Sequence, residues 1–240
     1  MTLNQASCTL RTPNAPCPRK RVVAVVLAAG TASRMGGRPK SLLQREGQTL
    51  LARLLSRLAE AGIDETVLVL GHHASTLQES LLQHAPKLSR PQGTNTMPLH
   101  VVINPTPEAG QNSSLHLGLA QAEALEPEWL MVALADQPLL ESGDLKDLIA
   151  AVKQAPAGTQ MLQPTINGQP GNPVMLSNKA MQAILQTPQS GGKAWRQQNP
   201  EQVFAWPSTN VHYCIDTDTP EDIAKLALEH GIQLNWGQIS

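Results

Sequence analysis

Aromatic side chains are nearly missing from this 240-residue chain, which has four Trp, one Tyr and one Phe, 2% of its residues. Leu, Val, Ile and Ala must therefore fill the core, and a hydrophobic content of 41% supplies enough of them. No apolar run approaches the roughly 20 residues of a membrane-spanning helix. The N-terminal stretch lacks the apolar segment of a secretory signal. Cys8, Cys17 and Cys214 form no CxxC pair, and their odd number suits a reducing compartment. These absences lead to the expectation of a cytoplasmic protein with no membrane partner. A formal charge of -1 gives no global positive field, so a nucleic-acid partner is not expected. Small anions remain open, because a few local donors suffice to hold them.

The length predicts one large α/β domain ahead of two small ones. Residues 1–20 are polar and contain proline, and are read as a disordered tail in which Arg19-Lys20-Arg21 is a solvated lead-in. From residue 21 onward a single domain is expected, with a first half to about 155 and a second half over 156–240. Val22 to Leu27 is continuously apolar and β-branched, as in a strand covered on both faces. Thr49 to Ala61 puts five leucines on one helical stripe and ends at Gly62, a suitable C′ residue. Strands follow at Thr66–Leu70, Leu99–Ile103 and Trp129–Leu134. Helices are expected near Ala74–His84, Ser113–Leu125 and Ser142–Lys153, with 85–98 as a loop. This β-α rhythm predicts a mostly parallel sheet with helices on both faces. Beyond 155 the elements shorten, with helices near Asn178–Gln186 and Pro220–His230. Thr219 is the expected N-cap of the second, with Pro220 at N1.

Chemistry concentrates in LAAGTASRMGGRPKSLL, Leu27 to Leu43, at the carboxyl end of the first strand, where open parallel sheets bind ligands. Gly30, Gly36 and Gly37 let the backbone turn tightly and offer N–H groups to an anion. Arg34 and Lys40 add cations in the same loop, and Pro39 stiffens the approach to Lys40. The Walker pattern is absent because Lys40 follows Pro39. The dinucleotide pattern GxGxxG is absent too, which leaves no simple case for hydride transfer.

Asp136 follows an apolar strand, where a carboxylate is costly unless paired or metal-bound. Gln137-Pro138 argues against a helix starting there and hence against a mere N-cap. Asp216 and Asp218 alternate about Thr217 and would share one face of an extended segment. The competing role for Asp218 is to organise the turn into Thr219. His72-His73 has no HxxxH or Cys partner and is read as loop, beside Gly71, rather than as a zinc site.

The loop resembles the signature of the MobA-like nucleotidyltransferases. Its LAAG form is similar to that of the molybdenum cofactor cytidylyltransferases among them, whereas guanylyltransferase relatives carry LAGG. GQNSSLHLGL (110–119), ALADQPLL (133–140), GQPGNPVML (168–176), SGGKAWR (190–196) and IDTDTPEDI (215–223) agree in order, so the resemblance covers about 22–228. Asn172 stands where many relatives have His, and Lys193 where Arg is common, both on the acceptor side. The resemblance implies a three-layer α/β/α Rossmann-like, GT-A-like nucleotidyltransferase fold. It further implies Mg²⁺-dependent transfer of CMP from CTP to the phosphate of molybdenum-bound molybdopterin, with an apo-molybdoenzyme as client. Arg34, Lys40 and Asp136 would be catalytic, Arg34 on the β- and γ-phosphates and Lys40 on the α-phosphate. Leu27, Ala28, Ala29, Gly30, Gly71, Gln111, Asn112, Ser113 and Ser114 would surround the nucleotide. Asp136 with Asp216 and Asp218 would hold Mg²⁺, while Gly171, Asn172 and Pro173 would face the acceptor. The alternatives are a GTP- or sugar-phosphate-specific transferase, or a non-catalytic nucleotide-binding carrier or insertion chaperone.

Overall fold

A computed structural model describes residues 20–90, 96–187 and 190–237. The expected tail lies outside the described residues except for Lys20, as do Cys8 and Cys17. The first half runs β1 (Val22–Ala28), β2 (Leu43–Arg45), β3 (Gln48–Thr49), α1 (Leu50–Ala61), β4 (Glu65–Leu70), α2 (Ala74–Gln83) and β5 (Leu99–Ile103). It continues with α3 (Gln111–Glu123), β6 (Trp129–Leu134) and α4 (Ser142–Gln154). The second half holds β7 (Met161–Ile166), β8 (Gln169–Pro170), β9 (Val174–Ser177), α5 (Asn178–Leu185) and α6 (Gly192–Gln198). It closes with β10 (Val203–Pro207), α7 (Pro220–His230) and β11 (Asn235–Trp236).

The main sheet has the order β10-β7-β9-β6-β1-β4-β5, with β8 paired to β7. β5, β4, β1 and β6 are mutually parallel, whereas β9 runs antiparallel to both β6 and β7. Strands of both halves thus share one sheet. β1 lies in its middle because it is apolar throughout: Val22, Ala24 and Val26 join the core under α1 and α4. Val23, Val25 and Leu27 join the core under α3 and α5. Full burial of each Val or Leu is worth about 1.5–3 kcal/mol, so a strand with six residues buried on its two faces strongly fixes its own place.

The helices begin and end for legible reasons. Thr49 caps α1 by accepting from the Ala52 N–H at 3.3 Å, and Gly62 closes it in the left-handed region. At α7 the Thr219 and Asp222 side chains form a reciprocal capping box around Pro220. Asp222, rather than Asp218, organises that turn: its carboxylate accepts from the backbone N–H groups of both Asp218 and Thr219. Helix α3 starts at Gln111, two residues ahead of the predicted start, and α6 was not anticipated from the sequence. A second sheet, β11-β2-β3, was likewise unforeseen. Its strands are two or three residues long and carry no detectable alternation. It belongs to a third core of Met35, Leu43, Leu50, Leu139, Leu226 and Leu234, beneath the Leu27–Leu43 loop.

Helix α3 approaches the sheet through Gly118, where an added Cβ would come within 2.6 Å of Val25 Cγ1 and 2.9 Å of Val69 Cγ2. The branched valines cannot swing away. Gly118→Ala should therefore destabilise the fold by about 1–3 kcal/mol through overpacking, despite alanine's better helix propensity. Urea unfolding reads this directly, and an unchanged midpoint would show that α3 can retreat from β1.

Candidate active site

The parallel register brings four strand ends to one level. Ala28 is paired with Leu70, Leu70 with Ile103, and Leu27 with Leu134. The residues that follow, Ala29, Gly71, Asn104 and Ala135-Asp136, therefore line the carboxyl edge side by side. Asn104 and Ala135 prolong the ladder, donating to Leu70 O at 2.8 Å and Leu27 O at 3.2 Å. Above this edge lies a cavity of about 330 Å³, within the range of small-molecule sites. Leu27, Ala28, Ala29 and Gly30 form one wall, Gln111 and Ser114 another, with Lys40 and Asp136 at the rim. Thr31, Ala32, Pro39, Ser41 and Pro107 also line it, and the sequence reading had not singled them out for this.

The loop turns at Ala32, Gly36 and Gly37, with φ of 56°, 64° and 80°. Gly36 and Gly37 carry the tight turn expected of them. Gly30 does not take a positive φ; it borders the cavity, and a Cβ there would meet nothing within 4 Å. Met35 is the loop's buried anchor, and Arg38 stacks over Trp236 of β11 at 4.3 Å from the ring centroid. His73 reaches Thr31 O with Nε2 at 3.3 Å and so braces the loop.

An ion-pair network crosses the rim. Lys40 Nζ donates to Asp136 Oδ2 at 2.7 Å and also to Asp218 Oδ1. Arg34, with a side chain 70% exposed, pairs with Asp218 Oδ2 at 3.1 Å. Burial alone would lower the Lys40 ammonium, but Asp136 and Asp218 together hold it above its ordinary value. The segment carrying Asp216 and Asp218 is fastened by Thr217. This fully buried residue donates to Asp136 O from both its N–H and its hydroxyl, each at 3.1 Å. Burial and the neighbouring Asp136 and Asp218 carboxylates push Asp216 up from its ordinary value, against the pull of Lys40.

The remaining expected residues sit around this centre. Gly71 is wedged where a Cβ would meet Ala29 Cβ at 2.7 Å and Pro107 Cβ at 2.9 Å, so it shapes the wall without lining it. Asn104, which the sequence reading missed, donates to Ser113 Oγ at 2.8 Å and Ser114 Oγ at 2.9 Å. It thereby aims the first turn of α3, whose N–H groups favour an anion. Its signal was available: it is the first residue after a strand at the carboxyl edge. Asn112 packs on Gly191, away from the cavity lining. Gly171 and Pro173 are buried and Asn172 is half-buried, next to Tyr213 and outside the cavity lining.

The carboxylates suit a hard cation. Asp136 Oδ1 is buried with no hydrogen-bond partner, while its other oxygen is taken by Lys40. Asp218 shares Lys40 with Asp136, Asp216 feels both carboxylates, and all the donors are oxygen. Among the described residues no three His, Cys, Asp or Glu side chains converge to hold an ion by themselves. Magnesium fits such a set, because it takes one or two carboxylates and completes its octahedron with substrate phosphate oxygens and water.

The MobA-like NTP transferase domain matches residues 24–203. Nicotine blue oxidoreductase of Paenarthrobacter nicotinovorans is 27% identical over 214 residues, 87% of this chain and 92% of that protein. CMP-5'-(3-aminopropyl)phosphonate synthase of Streptomyces rubellomurinus is 38% identical over 108 residues, 43% of this chain. The chain spans only 15% of that relative's length, and 19% of another's. Among solved structures, Rv0371C of Mycobacterium tuberculosis H37Rv in complex with manganese superposes with a TM-score of 0.60 at 21% identity. That superposition covers 87% of this chain and 99% of the other. Among the described residues no helix is long and apolar enough to cross a membrane.

The raised Asp216 has a stability consequence in the absence of nucleotide. A carboxyl whose folded value is raised contributes fully below its unfolded value, and that contribution is lost as pH rises through the folded one. At neutral pH its charge is therefore a burden, and Asp216→Asn should raise the melting temperature. The gain should fade as the pH falls below the ordinary carboxylate range. A variant with a lower melting temperature at neutral pH would contradict the repulsion.

Proposed function

This chain belongs to the MobA-like NTP transferase family, and we propose that it transfers CMP from CTP to the phosphate of molybdenum-bound molybdopterin in the cytoplasm, releasing pyrophosphate. The observation that carries the reading is the network in which Lys40 bridges Asp136 and Asp218 at the rim of the cavity. Cations for phosphates and carboxylates for a metal meet there at one point.

In the proposed step an acceptor phosphate oxygen attacks the α-phosphorus of CTP from the side opposite the β-phosphate. The new P–O bond forms as the bond to the bridging oxygen breaks, and pyrophosphate takes the electron pair. No proton need move, because the acceptor phosphate is largely ionised at neutral pH. The difficulty is to bring two polyanions together. Lys40, half-buried at the cavity, would neutralise the transferred phosphate, and the exposed Arg34 the departing pair. Asp136, with Asp216 or Asp218, would hold Mg²⁺, which supplies charge neutralisation on the phosphates when bound. Leu27 to Gly30 and the start of α3 would enclose base and ribose. Holding the reactants in line can supply about 7–11 kcal/mol in favourable cases.

Cytidine rests on Ala29 within LAAG and on the CMP product that the Streptomyces relative's name records. Molybdopterin and an apo-molybdoenzyme client rest on the LAAG resemblance. The Paenarthrobacter relative's name speaks of an oxidoreductase. This chain lacks a GxGxxG loop, and its cation–carboxylate rim suits a triphosphate better than a hydride carrier. A non-catalytic carrier would not require Arg34, Lys40 and Asp136 together.

Pyrophosphate release decides the matter. Mixing the protein with Mg²⁺, molybdenum-bound molybdopterin and each of CTP, GTP, UTP and ATP should give acceptor-dependent release with CTP. Release with GTP or with sugar phosphates, or none at all, would overturn the reading. Asp136→Ala should abolish turnover in a folded protein, and near-normal turnover would remove its metal role. Lys40→Ala should slow single-turnover transfer by about 10²-fold or more, with a smaller change in CTP binding. An unchanged rate would remove its assignment to the α-phosphate.

A further inference from the structure

Gln137 has no part in the step just described, yet it is buried beside Asp136 in a way a filler residue would not need. Its Nε2 donates to two backbone carbonyls at once, Asn172 O and Tyr213 O, both at 3.1 Å. Its Oε1 is buried and has no hydrogen-bond partner. A side chain present only to occupy that space would be better as Met or Leu, with no acceptor left unmatched. The amide is retained for its two donors.

The groups it holds already form one body. Asn172 N donates to the same Tyr213 carbonyl at 2.8 Å, and Gly171 lies so close that a Cβ would come within 2.7 Å of that oxygen. Gln163 donates to Gly171 O at 3.0 Å and is itself held by Arg196 Nη1 at 2.6 Å. The Tyr213 hydroxyl donates to Asp144 O at 2.8 Å. On the other side of the same dipeptide, the Asp136 carbonyl receives both donors of Thr217, which fastens Asp216 and Asp218. Residue 136 thus carries the cation-binding segment through its backbone, and residue 137 carries the Gly171–Pro173 loop through its side chain.

We propose that Gln137 is a positioning residue that sets the Gly171–Pro173 loop, and any acceptor phosphate seated on it, at a fixed offset from the Asp136 carboxylate. The inference rests on the CMP-transfer reading for the identity of the acceptor, but the linkage itself does not. Attack in line tolerates little displacement: a shift of about 1 Å can slow transfer by about 10²-fold. Loss of the tie therefore acts on the acceptor and spares the nucleotide.

The test compares Gln137→Met and Gln137→Leu with the parent protein in two measurements. Steady-state kinetics with CTP and molybdenum-bound molybdopterin should show kcat/KM for the acceptor reduced by about 10- to 100-fold, and KM for CTP within about twofold. Hydrogen exchange should speed up in peptides covering 168–176 and 211–216, while 27–43 keeps its protection. Parent-like exchange and kinetics in Gln137→Met would make the residue a spacer and overturn the inference. So would a comparable loss in CTP affinity and in phosphate-loop protection, or the unfolding of both variants, since either would mark a general structural role. If the parent protein itself fails to transfer CMP, the functional reading falls, and the exchange pattern alone decides whether Gln137 ties the loop.

Discussion

The burial of β1 on both faces is the constraint from which the site's geometry follows. Its side chains alternate between two cores, so the strand cannot slip by one residue without exchanging every contact. Fixing β1 fixes β4 and β6 beside it through their parallel registers, and β5 beyond them. The four strand ends then present Ala29, Gly71, Asn104 and Asp136 along one line. Close approaches at Gly71 and Gly118 leave this line little freedom. Chemistry is delivered by loops, but the loops are aimed by the register of a hydrocarbon core.

At the rim, three carboxylates stand against two cations. Arg34 and Lys40 face Asp136, Asp216 and Asp218, and the surplus carboxylate appears as the upward push on Asp216. Exposed pairs such as Arg34–Asp218 contribute little to folding. Their value lies in being divisible. In the proposed reaction, phosphate oxygens would draw the two cations and a divalent ion would draw the carboxylates. Ligands of opposite sign would therefore aid one another's binding through the same set of side chains.

Much of this was legible in the sequence because it rested on strong local signals. An unbroken β-branched run reads as a two-faced strand, and five leucines in register with Gly62 read as α1. Thr219, Pro220 and Asp222 spell out the start of α7. The alternation of Asp216 and Asp218 predicted a shared face; the structure buries the intervening Thr217 and pairs Asp218 with Lys40. What stayed hidden depends on contacts between distant segments. β2, β3 and β11 are too short to show a period, and α6 is short and glycine-led. Asn104 looks like any loop asparagine until α3 is folded against it. The partition of phosphate-loop glycines was also invisible, since only backbone angles show that Gly36 and Gly37 turn the chain while Gly30 does not. Gln137 reads as half of a helix-blocking Gln-Pro pair, and its two carbonyl partners lie 35 and 76 residues away.

The third core carries a consequence for how the molecule comes into being. Met35 under the phosphate loop, Leu43 of β2 and Leu139 are covered by Leu226 and Leu234, and β11 completes the small sheet by pairing with β2. A growing polypeptide emerging from the ribosome could therefore form the parallel strands early, yet the Leu27–Leu43 loop would lack part of its floor until residues 215–236 had joined. Contacts of such long sequence separation are slow to form. During that interval Met35 and Leu43 would be open to solvent, as would the unpaired edge of β2. The loop reaches the form described above only once this distant pairing has been made.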